Sequence, residues 1–166
     1  MNTPCEVRTF RASDVAPANA LTNWYIEHTA VHFAFAPAPD AEFAATWEKY
    51  RERYPWLAAE VNGAFAGYCK AGLWRERDAY SRTVEAGVYV VQTLHRRGVA
   101  RALYAELFRR LRAGSFHTVI AGITLPNEAS VRLHEAIGFE KVGVFRAVGR
   151  KFDAWHDVGF WQIDLE

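Results

Sequence analysis

Apolar Val7 and Phe10 enclose polar Arg8-Thr9, a β-branched segment that reads as an opening strand. Ser13-Asp14 then offers an N-cap for a helix reaching about His28, with Pro17 in its first turn. Pro37-Ala38-Pro39 interrupts the chain, and Asp40 is expected to cap a second helix with an apolar face of Phe43, Trp47, Tyr50 and Tyr54. Pro55 ends that helix, because the residue before a proline is pushed out of the helical region. Two strands over 56–61 and 64–74 flank Asn62-Gly63, the strongest two-residue hairpin signal, and Gly67 marks a bulge in the second. Residues 75–81 are polar and read as a loop, followed by a strand over 83–91. A basic turn leads into a helix over about 98–113, in which Val99, Leu103, Leu107 and Leu111 form one stripe and Gly114 terminates it. A strand over 117–123, a short helix from Asn127 to Gly138 and strands over about 139–145 and 155–165 complete the chain. Strands and helices mix without strict alternation, so the expected class is α/β (α+β), a mixed central sheet with helices on both faces.

Composition narrows this picture. The 166 residues, 51% hydrophobic and 23% charged, fit one domain with one core, and no repeat or linker divides them. Twenty basic against 19 acidic residues leave a net charge of +1, which argues against a nucleic-acid partner. No apolar run approaches the roughly 20 residues that span a bilayer, and the N-terminus carries no apolar signal region, so a cytoplasmic protein without membrane partners is expected. Cys5 and Cys69 alone supply neither a disulfide framework nor a zinc site, and no metal is expected. The charge is uneven, however: between His95 and Arg112 stand six arginines and one acid, Glu106.

That imbalance falls on the most informative unit, in which strand Val88-Tyr89-Val90 is followed by the turn His95-Arg96-Arg97-Gly98-Val99-Ala100 and a helix. A glycine-bearing turn at a helix N-terminus exposes backbone N–H groups under a positive helix dipole, and Arg96, Arg97 and Arg101 would reinforce a phosphate or pyrophosphate there. An ordinary solvated helix start accounts for the same residues equally well. The second and third glycines of a dinucleotide fingerprint are missing, as is the Gly-Lys-Ser/Thr of a P-loop.

His95-x-x-Gly98-x-Ala100 resembles the Gln/Arg-x-x-Gly-x-Gly/Ala motif of the GNAT N-acetyltransferases. Asn127 to Phe139, with Leu133-His134 and Gly138-Phe139, is similar to that family's second helix motif, about 30 residues further on. Arg51-Glu52-Arg53-Tyr54-Pro55-Trp56-Leu57, Leu125-Pro126-Asn127 and Trp155-His156-Asp157-Val158-Gly159-Phe160-Trp161-Gln162 resemble the branch that acetylates phosphinothricin, over nearly the whole chain.

The resemblance implies the GNAT fold, acetyl-coenzyme A as co-substrate, a small amino-acid acceptor and a homodimer. It implies that Gly98, Val99, Ala100 and the three arginines cradle the pyrophosphate. Val88, Tyr89 and Val90 would hold the thioester and pantetheine arm, and Asn127 would bond that arm unless it only caps its helix. Glu85 matches the family's base, which takes the proton that an ammonium acceptor must lose; from the residues alone it is a solvent-facing strand glutamate. His134 stands where most members carry a tyrosine acid, and Tyr80 or Tyr89 could serve instead. For the acceptor, Arg75 and Arg77 suit carboxylate- and phosphinate-like oxygens, with Tyr80 on the same loop and Phe33 and Trp74 as an apolar wall. His95 departs from the motif, Cys69 has no neighbours that would make it a nucleophile, and His156-Asp157 reads as strand packing. Acetylation of another amine, or acyl-coenzyme A sensing without catalysis, are the competing readings.

Overall fold

The computed structural model describes residues 5–165. Its elements run β1 (Cys5–Thr9), α1 (Val15–His28), α2 (Asp40–Tyr50), β2 (Trp56–Val61), β3 (Ala64–Leu73), β4 (Thr83–Val90), α3 (Val99–Ala113), β5 (Thr118–Leu125), α4 (Glu128–Ala136), β6 (Glu140–Lys151) and β7 (Ala154–Asp164). One seven-stranded sheet takes the order β1-β2-β3-β4-β5-β7-β6, antiparallel throughout except between β4 and β5. The mixed sheet with helices on both faces is the expected architecture.

The alternation of side chains along β2 shows how the two faces are filled. Trp56 and Ala58 join Phe10, Leu21, Trp47 and Tyr68 under α1 and α2, whereas Leu57 and Ala59 join Cys69, Ala71 and the α3 side chains. All four members of the α3 stripe, Val99, Leu103, Leu107 and Leu111, are buried, and Tyr104 and Phe108 widen it. Val131, Leu133 and Ile137 of α4 pack against the same core.

Several boundaries differ from expectation. The α1 cap, Asp14, makes no side-chain capping bond; its buried carboxylate is spent on Arg8 at 2.7 and 2.8 Å and on the Arg11 amide. Pro39, not Asp40, is the N-cap of α2, and the helix ends at Tyr50, four residues before Tyr54. Asn62 and Gly63 do take the positive φ values of a tight hairpin turn, 54° and 75°. Beside Gly67 the β2–β3 register shifts, and a β-carbon on Gly67 would lie 2.4 Å from the Tyr89 carbonyl oxygen, so only glycine allows β4 this close. The largest difference is β6, which continues six residues past Phe145 to Lys151. A register shift between Phe145 and Gly149 with Ala147 at φ 48° breaks the alternation by which the strand would be read, and the Asp157 carboxylate holds the Ala147 amide at 2.8 Å.

Pairing of β4 with β5 covers only Thr83–Glu85 against Thr118–Ile120. Beyond that point β4 follows β3 as far as Val90, β5 follows β7 as far as Leu125, and the sheet opens between them.

Candidate active site

Glu85 is the last β4 residue paired to β5 and so stands at the apex of the opening. Its neighbours Val84 and Ala86 belong to the core under α3, which turns Glu85 to the opposite face. On that face its cross-strand partner is Gly72, the next residue along is Gly87, and β5 presents Gly122. The Glu85 Oε1 atom is 3.4 Å from where a β-carbon of Gly122 would sit. The carboxyl is reachable from solvent, yet the desolvating walls raise its pKa above the ordinary 4.5, an effect that the positive charge of Lys70 partly offsets.

The Val91 amide donates to the Ala66 carbonyl of β3. By strict alternation the amides of Val90 and Val88 therefore point the other way, into the opening. The Tyr89 side chain lies on the Glu85 face, stacked on Tyr68 at 5.3 Å and near Tyr25, and burial pushes its phenol up to about 12. The Val90 carbonyl accepts from Tyr25 Oη at 2.9 Å, and His95 Nε2 lies 2.9 Å from that hydroxyl and 3.2 Å from that carbonyl. His95 thus folds back to pin the turn onto α1 and does not face the helix N-terminus.

Past His95, Arg96 adopts φ 62° and Gly98, the α3 N-cap, φ 84°. No side chain caps α3, so the amides of Val99, Ala100 and Arg101 remain open. Arg96, Arg97 and Arg101 are exposed and have no acidic partner among the described residues. Open amides, a helix dipole and three unpaired guanidinium groups make a site fit for a pyrophosphate. Across the opening, Leu125, Pro126, Asn127, Glu128, Val131 and Arg132 line a groove of about 410 Å³. Asn127 Oδ1 caps α4 by accepting from the Ser130 amide at 3.2 Å. A larger hollow of about 480 Å³ between Arg53 and Phe116 contains none of the candidate residues.

On the other side, Trp74 packs edge-on against Phe160 at 5.8 Å, and Phe145 meets the same ring at 5.6 Å. Phe160 also touches the bare face of Gly122, which ties this aromatic wall to Glu85. The Arg75 guanidinium lies 5.0 Å over the Trp74 ring. Arg75 and Arg77 form no ion pair with Glu76 or Asp78, so the loop holds unpaired positive charge; Tyr80 on it is half-exposed. Phe33 sits over Gly149, with His156 6.1 Å from its ring. Lys151, 3% exposed, fixes the loop after α1 by donating to the carbonyls of Ile26 and His32 at 2.5 and 2.6 Å. His156 bonds the Lys151 carbonyl and Asp157 the Ala147 amide, so both serve the β6–β7 hairpin.

His134 is brought into contact with none of these groups. It is 4% exposed in the core under α3, on the sheet face opposite Glu85. Nδ1 lies 2.7 Å from the Ser130 carbonyl, so it carries the proton, and Nε2 accepts from Tyr104 Oη at 2.8 Å. Burial lowers the imidazole pKa, leaving it neutral. Tyr104, unread in the sequence as a polar partner, is itself 1% exposed. Cys69 is fully buried beside the Leu103 carbonyl, and burial pushes its thiol up.

The acetyltransferase (GNAT) domain model matches residues 7–159. A phosphinothricin N-acetyltransferase of Streptomyces viridochromogenes is 45% identical over 163 residues, 98% of this chain and 89% of that protein. An L-methionine sulfoximine/L-methionine sulfone acetyltransferase of Salmonella typhimurium is 35% identical over 163 residues, 95% of each chain. The crystal structure of a GNAT superfamily phosphinothricin acetyltransferase from Sinorhizobium meliloti in complex with acetyl-coenzyme A superimposes with a TM-score of 0.94 at 30% identity, covering 99% of this chain and 89% of that one.

Proposed function

The chain belongs to the GNAT acetyltransferase family, and on that premise we propose that it acetylates the α-amino group of a small amino acid bearing a tetrahedral, oxygen-rich side-chain group, such as phosphinothricin, methionine sulfoximine or methionine sulfone. The observation that carries this reading is the position of Glu85, at the apex of the opening, between uncapped α3 on one side and the unpaired Arg75 and Arg77 on the other.

In this reading Gly98, Val99, Ala100, Arg96, Arg97 and Arg101 would hold the pyrophosphate of acetyl-coenzyme A, and Val88, Tyr89, Val90 and Asn127 would line its arm. When bound, it supplies an activated acetyl group that the amine takes directly, within one complex of enzyme and both substrates. Glu85 takes one proton from the acceptor's ammonium, directly or through one water, the freed lone pair forms the N–C bond as the C–S bond breaks, and the nitrogen's second proton passes to solvent. The Val88 or Val90 amide donates to the carbonyl oxygen as charge gathers there. For the departing thiolate the reading assigns His134 with its partner Tyr104: the sulfur takes the one proton that the neutral ring carries, on Nδ1, and solvent restores it. Arg75 and Arg77 orient the acceptor's side-chain oxygens, with Tyr80 beside them and Phe33 closing the apolar side. The reading includes a cytoplasmic homodimer, supported by the exposed Val142, Val144 and Val148 on edge strand β6.

Steady-state kinetics with acetyl-coenzyme A across amino acids, polyamines and peptide N-termini test it. The highest kcat/KM is expected among the three named amino acids, and no turnover of any of them overturns the reading.

A further inference from the structure

Lys70 on β3 lies opposite Trp56 of β2 and Gly87 of β4, so it shares the face of Glu85, which stands two residues from Gly87. Its Nζ is 4.9 Å from the centroid of the Trp56 ring. The residue is half-buried, yet no acceptor among the described residues lies within hydrogen-bond distance of its ammonium, and it makes no ion pair. Holding an ammonium away from water without hydrogen bonds is unfavourable, and Glu85 approaches it without closing a salt bridge. The other titratable groups around it are His32, from the loop after α1, and Tyr89 on β4; Lys151 lies on the far side of His32. None of these supplies a second negative charge. The strip Trp56–Lys70–Glu85 therefore combines one carboxylate base with one cation that no described residue hydrogen-bonds.

We propose that Lys70 is a specificity-determining residue that binds the α-carboxylate of the acceptor. The inference rests on the amino-acid reading above. In an α-amino acid the carboxylate is one carbon away from the amine, and the amine has to reach Glu85. An anion beside both Glu85 and Lys70 is then the α-carboxylate, while Arg75 and Arg77, on the loop beyond β3, meet the far end of the molecule. The acceptor is read at both ends, and an amine lacking the carboxylate leaves Lys70 unpaired.

The test compares methionine sulfone with its decarboxylated counterpart, 3-(methylsulfonyl)propylamine, at saturating acetyl-coenzyme A on the alkaline plateau of the wild-type pH profile. The wild type is expected to prefer the amino acid. Lys70→Met should lower kcat/KM for the amino acid by about 10- to 100-fold, mainly through KM, as for loss of a charge-assisted hydrogen bond. The amine should fall less than about three-fold, so the preference collapses, and Lys70→Arg should restore part of it. Should Lys70→Met fail to fold, Lys70→Gln carries the same comparison. A preference unmoved by the variant, or equal losses on both substrates together with a shifted acid limb, would place Lys70 behind Glu85 as an electrostatic support and overturn the proposal. A wild type that acetylates no amino acid overturns the acceptor reading itself, a result distinguishable from the first two.

Discussion

Replacing Glu85 by Gln removes a proton acceptor while keeping the shape that fits against Gly122 and Phe160. An acceptor amine with a pKa between about 8 and 10.4 is neutral to between about one part in ten and one part in 2500 at pH 7. Without a base, attack is limited to that fraction, and with the lost proton-transfer contribution of about 100-fold or more, kcat/KM at pH 7 should fall by 10²–10³. The residual rate should climb with pH at unit slope as the amine loses its own proton. In the wild type the acid limb should lie above the ordinary carboxylate value of 4.5, because desolvation raises the Glu85 pKa. The stability sign is the reverse. A folded state that raises a carboxyl pKa favours the protonated form, so that stabilisation is present at low pH and lost as pH rises through the raised pKa. Glu85→Gln should therefore melt at or above the wild-type temperature at pH 7 to 8, with the difference closing towards pH 4. The assay is thiol release against pH, beside thermal melts and titration with acetyl-coenzyme A. A loss below ten-fold at pH 7 with the acid limb intact would remove Glu85 from the chemistry.

The Arg75→Ala, Arg77→Ala double variant should raise the acceptor KM by about 10- to 100-fold and leave acetyl-coenzyme A affinity unchanged; weakened coenzyme binding by calorimetry would contradict the loop's assignment. Gly122→Ala puts a β-carbon 3.3 Å from the Phe160 ring and 3.4 Å from Glu85 Oε1. It should lower kcat by about ten-fold through displaced geometry, with unaltered secondary structure by circular dichroism. His134→Leu leaves the Tyr104 hydroxyl buried without its acceptor and should cost about 1–3 kcal/mol in urea melts. An unchanged midpoint with abolished turnover would instead make His134 purely chemical.

What was legible in the sequence is what local chemistry decides. Asn62-Gly63 and Gly98 take the left-handed conformations for which their residue types are suited, and the period of two turned Glu85 away from the core before any fold was known. What stayed hidden depends on residues far apart in the chain. The second tight turn, Phe152-Asp153, also has positive φ at both positions, 51° and 57°, but without a glycine to announce it. His134 meets Tyr104 across 30 positions, so the neutral, doubly bonded state of its imidazole has no signature in the helix that carries it. Lys70 stands between Cys69 and Ala71 and carries no local motif; its place beside Trp56 and Gly87 is visible only once β2 and β4 are set beside it.

The two bonds that Lys151 makes join residues 125 and 119 positions apart. Closing loops of that length is entropically among the later steps a chain can take, so the wall around His32 and Phe33 is completed only once the final hairpin has docked. The basic turn before α3, by contrast, is built from β3, β4 and α1. During synthesis the basic turn is thus complete while the wall of His32 and Phe33 is still waiting for the last 30 or so residues to emerge.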